Sequence, residues 1–446
     1  MNNTLKLKRG LDLRINGAAS GCDVIRSEAS GVAVTPDDFP GFVPKLEVRE
    51  GDNVLVGQPL LHDKNDEDIK LCSPVSGTVS AVVRGDRRKI ERVVVSPSPE
   101  QTDMILADVA PTDAQGIVAL LKHSGLWAFM RQRPYDIVPK GDVIPRDIFV
   151  TAFDSAPLAP DMEAYAAGRE GEIAAAVGAL SKLTSGKVYI CTRPDSKINV
   201  PAEAVHIAVE GPHPAGNAGV QAANIAPVNK GETIWTLDII TLCHIGQVMS
   251  CGSRDFSTVV AVTGPEVESP CLVETVECAD IKSVIAGRIK NDGRHHRIIS
   301  GNVLTGAKVG EDGYLRFPYR QVTVIAEGDD VDEFMGWASM SPSKMSVSRA
   351  FPFKWLRKMF SPDARLNGGR RAMIMSGEYD KVLPMDILPE YLIKAVGARD
   401  IDRMESLGIY EVAPEDFALC EYVDPSKTEI QKLIREGLDW LRKETE

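Results

Sequence analysis

Between residues 43 and 95 apolar and polar positions alternate with a period of two, in short runs broken by Gly and Pro, and no window of eleven carries a helical period. A small β domain is predicted there, with Gly51-Asp52 and Gly57-Gln58 in tight turns and Val54, Leu60, Val75 and Val79 in its core. The period then changes. Ile117, Leu120 and Leu121 fall at helical spacing within 113–123, and Ser124-Gly125 stops that helix. IFVTAFD (148–154), KVYIC (187–191) and AVHIAVE (204–210) read as buried strands alternating with an alanine-rich helix over 161–183, which implies an α/β, mostly parallel layer. The layer ends at GPHPAGNAG, and the apolar segment 234–249 has the length of a helix. From 257 short strands return (STVVAVTG, SPCLVETV, RIISG, QVTVIAE) around a brief helix at 281–286, the pattern of a small α+β domain. After Gly336 Met, Phe, Trp and Arg cluster up to 371, and helical segments follow to the end. In the last of these Ser426-x-x-Glu429 forms a capping-box pattern, and Ile430, Leu433, Ile434, Leu438 and Leu441 share one face.

Composition narrows the function classes. A chain of 446 residues predicts about three domains. Its formal charge of −12 repels phosphate backbones, so no nucleic-acid role is expected. No run reaches the roughly 18 apolar residues of a membrane span, and MNNTLKLKRGLDLRI is too charged for a signal sequence, so a non-secreted, non-spanning chain is expected. The eight cysteines include no C-x-x-C, which leaves structural zinc and cysteine-run iron–sulfur clusters without their usual ligands.

Several motifs have both a chemical and a plain reading. VREGDNVLVGQPLL (48–61) and LCSPVSGTVSAVV (71–83) resemble the two halves of a lipoyl/biotinyl-type barrel-sandwich hybrid. Lys64 lies near the hairpin where carriers hold their modified lysine, but the position eight residues before Pro74 is Asp66, so the domain is expected unmodified. GPHPAGNAG is not a P-loop, because Asn217 stands where the phosphate-reaching lysine belongs. His213, between two prolines, is either an exposed ligand contact or the structural imidazole of a rigid loop. His295-His296 and Cys243-His244 lack the i,i+4 or C-x-x-C spacing that converges on one ion, and no metal is expected. Residues 344–371 carry eight basic side chains and one acid, Asp363, a local +7. Lys354, Trp355, Arg357, Lys358, Arg370 and Arg371 there suit a membrane interface or an anionic protein partner, or else form a solvated charged face.

The strings PDDFPGFVPKLEVREGDNVLVGQPLLHDK, CSPVSGTVSAVVRGDRR, FDSAPLAPD, GPHPAG, TGPEVESPCL and RIISGNVLTG together resemble the A subunit (NqrA) of the sodium-translocating NADH:quinone reductases, in one consistent order from about residue 30 to 340. The order of domains also resembles the Rnf complex C subunit and the flavin-bearing NADH-binding subunit of complex I. After GPHPAG this chain reads Gly219-Val220-Gln221 where the family usually has Gly-Thr-His. The resemblance implies a multidomain α/β and α+β fold: an N-terminal region with the barrel-sandwich hybrid (1–105), a Rossmann-like α/β domain with a vestigial nucleotide site (106–255), a β-grasp-like SLBB-type domain (256–336), and the basic segment with a helical C-terminal region (337–446).

The functional implications follow from that family. The flavin-bearing relatives hold FMN and NADH on a glycine-rich loop after Gly-Leu, whereas Gly125-Leu126 is followed here by Trp127, Ala128, Phe129, Met130 and Arg131, and only Cys420 stands near the C-terminus. The chain is therefore expected to be one subunit of the sodium-transporting NADH:quinone translocase, with no redox centre of its own. FMN, FAD and iron–sulfur would sit in other subunits. It would lie on the cytoplasmic face of the bacterial inner membrane and dock on the membrane-embedded B subunit and its companions. A quinone is the implied small ligand, for which Trp127, Phe129, Arg131, Arg133, Pro134, Tyr135 and His213 are the candidate contacts. Trp127 and Phe129 could equally plug the old pocket. Two other classes stay open: a flavin and iron–sulfur electron-input subunit of Rnf type, and a lipoyl/biotinyl-like binding module.

Overall fold

The computed structural model describes residues 4–19, 21, 24–107, 109–329, 345–347 and 358–445. The alternating segment closes into two small antiparallel sheets, one of Val32–Val34, Ile90–Pro97, Gly77–Arg84 and Asn53–Val54, the other of Pro44–Leu46, Pro59–Asp63 and Lys70–Cys72. Val54, Leu60, Val75 and Val79 are buried between them. Gly51 and Gly57 turn the chain with φ of +89° and +82°, a region that only glycine enters freely. Lys64 is exposed at the tip of the hairpin.

The α/β layer is a six-stranded sheet in the order Thr4–Lys6, Val205–Glu210, Val188–Thr192, Asp147–Thr151, Ile234–Asp238, Arg131–Arg133, parallel except for the last strand. Ala114–His123 is capped by Asp113, whose side chain accepts from the Gly116 amide, and ends at the predicted stop, Gly125 with φ +77°. The segment 234–249 is a strand, Ile234–Asp238, followed by a helix, Ile239–Cys251, and not one helix. A strand buried on both faces reads as a continuous apolar run, so its period is silent. The punctuation is Asp238, whose carboxylate caps the helix by accepting from the Thr241 amide at 2.6 Å. The alanine-rich stretch likewise divides, into Met162–Ala166 and Glu170–Leu180, with Gly168 at φ +79° between them.

The second α+β unit has the order Ala307–Val309, His296–Ser300, Gln321–Ala326, Ser257–Thr263, Cys271–Val276, Val24–Arg26, with Ile281–Ile285 as its helix. The first thirty residues thus do not stay with the β domain. Thr4–Lys6 pairs into the α/β sheet and Val24–Arg26 into the α+β sheet, stitching the two together. The C-terminal helices, among them Pro389–Ala398, Ala418–Val423 and Ile430–Thr445, share a core with Leu7, Val209 and Val220 of the α/β layer. The last helix buries Ile430, Ile434, Leu438 and Leu441, but the capping box does not form. Ser426 Oγ donates to the Ala372 carbonyl, Glu429 pairs with Arg370, and the Gln431 amide is instead capped by Glu421 at 2.8 Å. Among the described residues no helix is long and apolar enough to cross a membrane.

Candidate functional site: a cavity at the switch point of the parallel sheet

From Asp147–Thr151 the sheet grows one way, to Val188–Thr192 and Val205–Glu210, and then the chain returns to the opposite flank with Ile234–Asp238. Open α/β sheets bind ligands outside the carboxyl ends of the strands at such a reversal. A cavity of about 480 Å³ lies there. Thr151, Asp154 and Asp238 reach it from the strand ends, and Gly216 and Asn217 from the GPHPAG turn. Phe317 to Arg320 of the α+β unit, Asp38 from the turn Pro36–Asp38, and Glu415 close the other side. All four regions of the chain therefore contribute to one wall or another.

Phe129 sits at the end of the short helix Leu126–Phe129 with its ring 4.3 Å from Phe317 and 5.6 Å from Phe39, and with the Arg254 guanidinium 4.4 Å away. Arg131 lies over Phe317 at 5.1 Å and donates to the carbonyls of Asp38 (2.7 Å) and Ala128 (3.0 Å). His213 is only 3% exposed, so of its two readings the exposed loop contact does not hold and the imidazole is part of the turn's interior. Its Nδ1 meets Ser155 Oγ at 3.0 Å, and the same oxygen accepts from the Gly216 amide at 2.8 Å. His213 Nε2 has no partner in either tautomer. Burial pushes this imidazole down to about 4, against a smaller opposing pull from Asp12, so it is neutral at neutral pH.

The cavity is rich in carboxyl groups. Its walls carry Asp37, Asp38, Asp136, Asp154, Asp238 and Glu415 against Arg131, Arg316 and Arg320. Burial raises Asp38 even though Arg316 Nε donates to it at 2.6 Å. Asp154 and Glu415 are open to the cavity, yet its enclosing walls raise both, and the adjacent Asp416 charge adds to the rise of Glu415. Such walls disfavour a phosphate and suit a neutral ligand with carbonyl acceptors and an apolar face. Nor do the residues fit a flavin phosphate on 125–131, since Leu126, Trp127, Ala128 and Phe129 are buried side chains where a backbone cradle would be needed.

The remaining candidates lie away from this cavity. Trp127 is 1% exposed, donates from Nε1 to the Pro139 carbonyl (2.8 Å) and meets Trp235 edge-on at 5.0 Å. Arg133 is likewise buried and donates from Nη1 to Asp416 (2.7 Å) and to the Glu411 carbonyl (2.8 Å), which ties the sheet edge to the C-terminal region. Pro134 is buried, and the Tyr135 hydroxyl meets Thr445 Oγ1 at 3.0 Å. Lys354, Trp355 and Arg357 lie outside the described residues. Lys358, Arg370 and Arg371 are exposed, with Arg370 paired to Glu429 at 2.6 Å. Cys243 and His244 are buried on the helix Ile239–Cys251, where His244 Nε2 meets the Tyr165 hydroxyl at 2.7 Å.

Sequence reasoning missed Thr151, Asp154, Asp238 and Phe317. The available signal was positional. Asp154 and His213 follow two parallel strands directly, and Asp238 would have joined them had the strand Ile234–Asp238 been separated from its helix. Gln221 is fully buried and donates to Thr151 Oγ1 (3.0 Å) and the Ala215 carbonyl (2.9 Å), so it braces the turn beneath the cavity.

Comparison with known proteins gives consistent matches along the chain. Residues 5–98 match the NqrA N-terminal barrel-sandwich hybrid domain, 112–254 the NqrA second alpha/beta domain, and 259–311 the NQRA C-terminal domain of SLBB type. The A subunit of the Na(+)-translocating NADH-quinone reductase of Pasteurella multocida is 36% identical over 99% of this chain and 100% of its own length. The subunit of the same name from Saccharophagus degradans is 35% identical over 99% and 100%. That of Rhodopirellula baltica is 36% identical over 98% of each chain. A solved NAD+-reducing [NiFe]-hydrogenase in the H2-reduced state is similar at 13% identity over 74% of this chain and 62% of the other, with a TM-score of 0.38.

Proposed function

Because the chain belongs to the NqrA family, the A subunits of the Na(+)-translocating NADH-quinone reductases, we propose that it serves that translocase as a cofactor-free peripheral component whose switch-point cavity takes a quinone headgroup. The observation that carries the reading is the convergence of Phe129, Arg131 and His213, from two distant segments, on a cavity whose walls are too acidic for a nucleotide phosphate. The Phe129 and Phe317 rings offer an apolar face to a flat ring. His213 Nε2, without a protein partner, and the Arg131 guanidinium are the groups that would donate to a carbonyl oxygen, the more strongly as that oxygen gains negative charge on reduction. Trp127, Arg133, Pro134 and Tyr135 support the wall from behind and do not touch the ligand.

FMN, FAD and iron–sulfur belong in this reading to other subunits, and the chain docks from the cytoplasmic side on the membrane-embedded B subunit through the exposed basic surface that includes Lys358, Arg370 and Arg371. The test is a titration of the purified chain with a short-tailed quinone. One site per chain is expected, and Phe129→Leu, which keeps bulk but loses the ring, weakens it about fivefold, the equivalent of about 1 kcal/mol for one aromatic contact. Equal affinity in the variant, or a purified chain carrying stoichiometric flavin, would overturn the reading.

A further inference from the structure

We propose that the α+β unit holds a divalent transition-metal site, of the zinc type, formed by Glu266, Asp292 and His296, where three separate segments of that unit meet. Glu266 follows the strand Ser257–Thr263, Asp292 lies in the turn after the helix Ile281–Ile285, and His296 opens the strand His296–Ser300. Backbone pairing fixes Glu266 and His296. The Glu266 amide donates to the Val324 carbonyl, Glu268 to Arg288, and Lys290 back to Glu266, while His296 pairs in register with Ala326.

The distances distinguish a metal cradle from a hydrogen-bonded triad. His296 Nε2 stands 3.5 Å from Glu266 Oε2 and 3.5 Å from Asp292 Oδ1, and all three ligand atoms lie within 4.8 Å of one another. A charge-assisted hydrogen bond would draw these atoms to about 2.8 Å. Two ligands bonded at about 2.0–2.1 Å to one tetrahedral zinc are about 3.4 Å apart. Glu266 is 7% exposed, and its Oε2 and the His296 Nε2 are both buried without a hydrogen-bond partner. Two buried polar atoms that face each other at ligand spacing, each unsatisfied, cost stability unless something sits between them. Asp292 is exposed; its Oδ1 accepts from the Arg294 amide at 3.1 Å, which holds the carboxylate in place and leaves that oxygen a second lone pair for a metal, while the Arg294 guanidinium approaches the other oxygen at 3.7 Å and water completes the coordination.

One imidazole with two carboxylates selects the class. Sodium, calcium and magnesium take oxygen donors, whereas imidazole suits zinc and its first-row neighbours, and two carboxylates neutralise a divalent charge. The site is therefore independent of the ion that the complex moves. Bound metal would clip the loop after Ser257–Thr263 to the turn at 292 and to the edge of the sheet.

The experiment uses the full chain carrying Cys251→Ser, which removes an exposed thiol that could bind zinc on its own. After dialysis against chelator, zinc is titrated in competition with a chromophoric chelator, and cobalt is substituted to read the donor atoms. The expected result is one zinc per chain, a raised melting temperature with zinc, and a cobalt spectrum without a thiolate charge-transfer band. His296→Gln and Glu266→Gln should each weaken zinc by more than about tenfold, while Glu311→Gln leaves it unchanged. No stoichiometric zinc, or zinc bound equally by the folded His296→Gln and Glu266→Gln chains, would overturn the proposal. Circular dichroism confirms the fold of each variant, and either folded variant alone decides.

Discussion

Asp416→Ala removes one partner of an ion pair in which Asp416 is 0% and Arg133 1% exposed, and it leaves a guanidinium with the Glu411 carbonyl at 2.8 Å and Glu415 at 3.4 Å. The site cannot relax by moving the arginine. The Arg133 guanidinium is pressed on Gly219, where even a Cβ would come within 2.1 Å of Nη2. Breaking one side of a buried pair costs about 3–5 kcal/mol, mostly the penalty of the charge left behind. Asp416 also accepts from the Ala413 amide at 2.9 Å, so the single variant loses that cap as well. The paired replacement Arg133→Met with Asp416→Leu removes both charges and should recover more than half of the loss. Urea unfolding of the wild type, Arg133→Met, Asp416→Leu and the double variant, followed by circular dichroism, reads the cycle, with Asp416→Ala measured beside it. Because the pair is buried, raising salt from about 0.1 to about 0.5 M should change its coupling little. A loss under about 1 kcal/mol in Asp416→Ala, or a double variant no better than the sum of the singles, would refute the role of Arg133 as an interior tie between the sheet and the C-terminal helices. The same set should leave quinone affinity nearly unchanged in any variant that stays folded.

His213 titrates near 4 in the folded chain, so the unfolded chain takes up its proton first as pH falls below about 6.5. Its contribution to stability is intact above that pH and is lost progressively down to about 4, by about 3 kcal/mol, and His213→Gln should flatten that part of the profile. Asp38 and Asp154, whose carboxyls burial raises, bind protons earlier in the folded state and act in the opposite sense, so the difference between wild type and His213→Gln is the quantity to compare. Arg254→Ala should cost about 3–5 kcal/mol in urea unfolding, since the guanidinium donates to buried Glu277 at 2.7 Å and lies over both Phe129 and Phe256; a loss under about 1 kcal/mol would remove it from the seam between the α/β and α+β units. Reversing Lys358, Arg370 and Arg371 to Glu should release the chain from its membrane complex with a melting temperature within a few degrees of wild type, because exposed charges contribute little to stability; retained association at low and physiological salt would return this surface to plain solvation.

The fold was legible where a period marks it. The alternation around Val54 and Val79, the helix begun by Asp113, and the strings shared with the reductase subunits each correspond to a described element. It was illegible where burial on both faces erases the period, as at Ile234–Asp238, and where a terminal segment joins a distant sheet, as Thr4–Lys6 and Val24–Arg26 do. Pairing partners two hundred residues away leave no local trace. In the cavity, Phe129, Arg131 and His213 were visible as residue types out of place in a loop. Arg133 and Tyr135 looked the same in sequence and differ only in which way the strand Arg131–Arg133 and the turn after it aim them. The Glu266, Asp292 and His296 group is invisible in sequence because its members have no ligand spacing along the chain and meet only through the folding of three separate segments.

The position of a bound quinone tests the central claim most directly. A brominated short-tailed quinone co-crystallised with the purified chain places its halogen by anomalous scattering. A single peak is expected inside the cavity, against the face that the Phe129 and Phe317 rings form together, with a carbonyl oxygen within hydrogen-bond reach of His213 Nε2 or Arg131. A peak elsewhere on the chain, or no peak at saturating quinone, would contradict it.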